Sequence, residues 1–134
     1  MLVAISGCIA ASSVYTPDQL VAAAEGLVGK TVVVQGAAVA YSITCTKMVC
    51  TPGQCCNTCG SPLALAGEKV KIRLRGSFEL RGIGCFGDEC TQACYPLVLG
   101  KRYQVAGTLL DDGAEYYLDF ISYQNVSAYG QPNT

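Results

Sequence analysis

At 134 residues the chain has the length of one domain and can bury a core of its own. Its net charge of −1 argues against generic polyanion binding, and no apolar run is long enough to span a bilayer. Histidine is absent, which removes Ser-His-Asp and Cys-His catalysis and leaves nine cysteines as the dominant chemical feature.

The chain opens on an apolar stretch, Leu2-Val3-Ala4-Ile5, followed by Ser6-Gly7-Cys8. Ile5-Ser6-Gly7-Cys8 resembles the lipobox of bacterial lipoproteins, in which the cysteine is lipidated and becomes the mature N-terminus. Only seven residues precede Cys8 and none is basic, so residues 1–15 read as a partial lipoprotein signal and tether. The resemblance implies export and a membrane partner through a lipid anchor at Cys8. Residues 127–134 read as a flexible tail, leaving 16–126 for the folded domain.

Thr16-Pro17-Asp18-Gln19 has the signature of a helix start: Thr16 caps, Pro17 suits the first turn and Gln19 completes a capping box. Leu20, Val21, Ala24, Leu27 and Val28 recur on one face, and Gly29 stops the run, which predicts a helix over 17–28. A long β-rich stretch follows from Lys30 to Ile43, with Gly36 as a bend point. Residues 45–60 hold Cys45, Cys50, Cys55, Cys56 and Cys59 among Pro, Gly, Asn and Thr, and read as an irregular loop. Residues 62–66 predict a short strand. In 69–75, Val70, Ile72 and Leu74 alternate with Lys69, Lys71, Arg73 and Arg75, placing apolar and cationic side chains on opposite faces. Residues 76–100, with Cys85, Cys90 and Cys94, read as a second irregular stretch. A hairpin over 102–110 and 115–123 turns at Asp111-Asp112-Gly113-Ala114.

One long bent strand, two shorter ones, a break and a hairpin make the strand set of a five-stranded barrel. The runs Leu27-Val28-Gly29-Lys30-Thr31-Val32-Val33-Val34-Gln35-Gly36 and Gly100-Lys101-Arg102-Tyr103-Gln104-Val105-Ala106-Gly107 resemble the first and fourth strands of OB-fold domains. The expected fold is therefore mainly β, an OB-like barrel with a short N-terminal helix and disulfide-stapled loops. OB-folds usually place a helix between strands three and four; here the cysteine-bearing segment 76–100 fills that slot. The Cys55-Cys56-Asn57-x-Cys59 run resembles that of a family of cysteine-rich bacterial lipoproteins with a "CCN-C" loop, from which no activity carries over.

The eight clustered cysteines have two ordinary uses, a disulfide framework in an oxidising compartment or a thiolate metal site. The clusters contain five and three residues, both odd numbers, so complete pairing demands a bridge between them. Adjacent Cys55 and Cys56 are expected to take different partners. The alternative is a cytoplasmic zinc protein binding nucleic acid, with Cys56-Asn-Thr-Cys59 and Cys90-x3-Cys94 supplying four thiolates. A second alternative is a redox protein cycling Cys56 and Cys59. An iron–sulfur cluster fits poorly, because Thr58 stands where the plant-type spacing needs cysteine. The framework reading implies a periplasmic or cell-surface protein, no cofactor, and nucleic acid as an unlikely partner.

Catalytic motifs are missing: the chain contains no G-x-S-x-G elbow and no P-loop. Asp111 and Asp112 suit turn geometry, and Asp88-Glu89 lack the ligand ladder of a calcium loop. The expectation is a non-catalytic binding or interaction module of the cell envelope, whose partner is an anionic ligand or an envelope protein. Lys69, Lys71, Arg73 and Arg75, extended by Arg81, are its candidate anion-binding stripe. Tyr41, Tyr103 and Tyr116 are candidate stacking platforms. The competing account is a solvated face of cations paired across the sheet with Glu115 and Asp119.

Overall fold

The computed structural model describes residues 13–126. Cys8 and residues 127–134 lie outside them. Strand β1 is Val14–Tyr15, and helix α1 is Pro17–Ala22. Strands β2 (Thr31–Ala40), β5 (Leu63–Ala66), β6 (Lys71–Arg75), β11 (Arg102–Asp111) and β12 (Tyr116–Asn125) close into a barrel in the order β2-β11-β12-β6-β5-β2. The pairs are antiparallel except β6 with β12, which is parallel, with Arg73 opposite Tyr117 and Arg75 opposite Asp119. This is the expected OB-like five-stranded architecture.

Closure depends on β2 changing partners along its length. It pairs with β11 as far as Ala37 opposite Arg102, and with β5 from Ala37 opposite Ala66 onward. Gly36 sits at the switch, where a Cβ would come within 2.8 Å of the Ala66 carbonyl oxygen. Glycine is thus required at this point by close backbone approach. The alternating strands deliver one apolar row each to the interior: Val32, Val34 and Ala38 from β2, Ile72 and Leu74 from β6, and Val105 and Leu109 from β11. Leu63 and Leu65 of β5 and Leu118 and Phe120 of β12 complete the wall. Burying each Val, Leu, Ile or Phe of these rows contributes about 1.5–3 kcal/mol against conformational entropy.

The capping box forms as the sequence suggests, with Gln19 N–H donating to Thr16 and the Gln19 side chain accepting from Thr16 N–H. The helix itself is shorter than 17–28: it ends at Ala22, and Ala24–Gly26 continue as a single 3-10 turn. Leu20 and Ala24 enter the core, but Val21 and Val28 remain exposed. Asp18 then fastens the helix to the β5–β6 turn by accepting from the backbone N–H groups of Glu68, Lys69 and Val70 at 2.6–3.0 Å. That turn takes Lys69 out of the strand, which begins at Lys71 rather than at the expected position 69. The expected tether is also corrected at its end: Val14 and Tyr15 pair in parallel with Val33 and Val34, extending the sheet beyond β2.

The two cysteine segments correct the sequence reading most. Instead of irregular loops they build a second, four-stranded antiparallel sheet in the order β10-β9-β4-β3, from Gln92–Tyr95, Gly84–Asp88, Thr58–Ser61 and Thr44–Cys45. Cys45 faces Cys59 and Cys85 faces Cys94 in register, and each facing pair is a disulfide. Cys50–Cys56 closes the loop between β3 and β4, and Cys55–Cys90 joins the two segments. The inter-cluster bridge follows the parity argument, and the adjacent Cys55 and Cys56 take different partners as expected. A further hairpin, β7 (Ser77–Phe78) with β8 (Arg81–Gly82), lies in the chain between the two halves of this sheet. Segment 76–100 also feeds the core through Leu97, fully buried, and Phe78, which meets Phe120 and Tyr123 edge-on at 5.7 and 5.4 Å.

Candidate functional site

Side chains of the β6 stripe meet carboxylates from the β11–β12 turn. Arg73 Nη1 lies 3.3 Å from Glu115 Oε2, and Arg75 Nη2 lies 2.9 Å from Asp112 Oδ2. Tyr41, one residue beyond β2, donates its hydroxyl to the other oxygen of Glu115. That hydrogen bond, together with burial and the nearby negative charge, raises the phenol pKa above its ordinary value. Asp112 has two tasks. Its Oδ1 accepts from the N–H groups of Ala114 and Glu115 at 2.9 Å, and its Oδ2 receives Arg75. The two backbone donors, aided by Arg75 and opposed by desolvation, hold its carboxyl below the usual range.

The cations also rest on aromatic faces. Lys71 Nζ and the Arg73 guanidinium lie 5.3 and 5.8 Å from the Tyr41 ring, and the Arg75 guanidinium lies 4.1 Å from the Tyr117 ring. Lys71 Nζ donates to the Tyr41 carbonyl at 2.9 Å. Cation–π contacts of this kind contribute about 0.5–1 kcal/mol at exposed sites and fix the heads of long side chains. Arg73 Nε is buried and has no hydrogen-bond partner among the described residues.

Arg73 and Arg75 border an open groove of about 550 Å³ between the barrel and the cysteine-bearing sheet. Its other walls include Ser42, Thr44, Ser61 and Phe86. Ser61 is held by the chain itself, accepting from Ser42 N–H at 2.9 Å and donating to Pro62 O at 2.7 Å. The Phe86 ring is exposed at the rim. Guanidinium donors, hydroxyls and an apolar ring on one concave surface can bind a small polar ligand.

The sequence stripe is therefore split. Lys71, Arg73 and Arg75 share one face, whereas Lys69 sits in the Asp18-bound turn and Arg81 lies 4.1 Å from the Tyr95 ring on another hairpin. Of the tyrosines, Tyr41 joins the stripe and Tyr103 is buried against Tyr123. Tyr116 packs half-buried on the core, so neither Tyr103 nor Tyr116 is an open platform. The expected Glu115 pairing is present, but Asp112 rather than Asp119 takes Arg75. Asp112 hides in sequence because an Asp before Gly already fits turn chemistry. Phe86 hides because its loop gave no strand pattern.

The cysteines behave as one framework. Cys56 pairs with Cys50 and Cys59 with Cys45, while Cys90 pairs with Cys55 and Cys94 with Cys85. The four residues of the zinc reading thus fall in four different bridges, and the CxxC of the redox reading is not itself a pair. Two groups of potential metal donors occur among the described residues, Cys50/Cys56/Glu89 and Cys55/Asp88/Cys90. In each the two sulfurs are bonded together, so neither presents the thiolate that a zinc site needs. Asn57 of the CCN-C run is an organiser of the loop. Its oxygen accepts from Met48 N–H and Thr46 Oγ1, and its nitrogen donates to Glu89 at 2.9 Å. Four disulfides point to an oxidising, extracytoplasmic compartment. No helix among the described residues is long and apolar enough to cross a membrane.

Comparison with family models, curated proteins and solved structures finds no match to this chain. The likeness to cysteine-rich lipoproteins accordingly rests on the Cys55-Cys56-Asn57-x-Cys59 run and the lipobox alone.

Proposed function

We propose that this chain is a non-catalytic binding module of the cell envelope, lipid-anchored at Cys8, which takes a phosphate-bearing ligand through Lys71, Arg73 and Arg75. The observation that carries the reading is the groove in which two arginines of the OB-type ligand face meet the disulfide-stapled sheet. Net charge near zero argues for a local site over a broad polyanion surface. The bridging pattern supports export, and it withdraws support from the zinc and redox alternatives by separating Cys56 from Cys59.

Two measurements test this. Retention on phosphocellulose is expected to fall as salt rises and to be lost on charge reversal at Arg73 and Arg75, with unchanged circular dichroism. Retention that survives the reversal rejects the anion site. For the anchor and compartment, the protein without reductant is expected to weigh eight hydrogens less than the same protein after reduction, and alkylation without reductant is expected to reach no thiol but that of Cys8, or none where Cys8 is lipidated. Bound zinc with several alkylated cysteines would return the protein to the cytoplasm.

A further inference from the structure

The anion-binding reading leaves one question, on which this inference rests: the arginines offered to a ligand already hold carboxylates. Arg73 and Arg75 are two apart on one strand, so their side chains leave the same face from Cα atoms about 7 Å apart. Glu115 and Asp112 occupy them at 3.3 and 2.9 Å. Both carboxylates come from a single short turn between β11 and β12. We propose that this acidic turn is an internal stand-in for the ligand, and that the ligand displacing it is a small molecule bearing two phosphate groups, one for each arginine.

The selectivity follows from competition. The internal pairs are partly exposed, with side-chain accessibilities of 29% and 30% for one and 36% and 25% for the other. Each therefore contributes little on its own, but both are present at the high effective concentration of a tethered group. A ligand with one charge exchanges one ion pair for another and then lies beside the carboxylate it displaced. A bisphosphate replaces both contacts together, and its two dianionic ends bring more charge than the two carboxylates. The site is prepared for this exchange. The Arg73 and Arg75 guanidiniums rest by the Tyr41 and Tyr117 rings as well as on the carboxylates, and Lys71 adds a third cation on the same strand. The buried, unpartnered Nε of Arg73 is a donor that an oxyanion spanning Nε and Nη would satisfy.

The test is calorimetric titration of the full chain with 1,3-propanediol bisphosphate and with glycerol phosphate. The wild type is expected to bind the bisphosphate at least tenfold more tightly than the monophosphate. D112N/E115Q keeps the turn's hydrogen-bonding shapes and removes both charges; it is expected to bind the bisphosphate at least tenfold more tightly than wild type. E115Q alone, which leaves the Asp112 cap intact, is expected to show an intermediate gain. Equal or weaker binding by both variants overturns the stand-in role, as does a wild type without preference for two phosphates. Undiminished binding by R73Q/R75Q rejects the anion site itself, as does the absence of binding by any of these proteins, so the two readings fail separately.

Discussion

The Asp18 carboxylate accepts from three consecutive backbone N–H groups, those of Glu68, Lys69 and Val70, and so satisfies a turn that has no strand partner. Burial pushes its pKa up, but the three donors and the Lys69 charge outweigh that and leave it below the ordinary value. A folded pKa below the unfolded one, about 3.9, gives stability that is fully present above the latter. It is lost as pH falls through the folded value. Asp18→Ala is therefore expected to melt below wild type at pH 7, with the gap closing as both proteins are taken through the acid range. A gap of constant size from pH 7 to pH 2 would assign the loss to packing rather than to charge. Asn57 has a comparable task in the cysteine loop, where one buried amide ties Met48, Thr46 and Glu89 together.

Among the elements, segment 76–100 separates side chains that look alike in sequence. Leu97 is fully buried and Leu80 is 103% exposed, at the tip of the β7–β8 hairpin. Leu97→Ala is expected to cost about 2–5 kcal/mol in denaturant unfolding, whereas Leu80→Ala should stay within about 0.5 kcal/mol of wild type. Matching losses would mean that the hairpin packs differently. This segment also marks where the fold stopped being legible. Lys71–Arg75 alternate strictly, the hairpin over 102–125 has a turn of Asp and Gly, and the capping box is local, so each could be read from neighbours in the chain. The β7–β8 turn could not, since Glu79 and Leu80 take φ of 52° and 65° where Asn or Gly would normally advertise such a turn. The second sheet was hidden for a different reason: its strands are two to five residues long and are registered by sulfur more than by apolar alternation. At the groove the same division holds. The cations were visible as a periodic row, but Asp112 reaches Arg75, and Phe86 the groove beside it, only through tertiary structure.

For the whole molecule, the bridges differ in what they constrain. Cys55–Cys90 is separated by 35 residues and Cys50–Cys56 by 6. Loop-closure entropy assigns about 4 kcal/mol to the first and about 2 kcal/mol to the second. Replacing Cys55 and Cys90 together by Ser is thus expected to lower unfolding free energy roughly twice as much as replacing Cys50 and Cys56. The reverse order in a urea titration would mean that the short bridge holds native structure beyond its loop. Core burial in the barrel should keep either variant folded at room temperature, because the long strands β2, β11 and β12 contain no cysteine.

The spans of three bridges overlap along the chain: Cys45–Cys59, then Cys55–Cys90, then Cys85–Cys94. Every peptide bond from Cys45 to Cys94 therefore lies within at least one of them. A protease that cuts once anywhere in that stretch releases nothing; it adds one water to the mass and leaves both pieces covalently joined. Limited digestion is expected to show an intact band without reductant and two fragments with it, so a nicked molecule would still keep the halves of its groove on one covalent body.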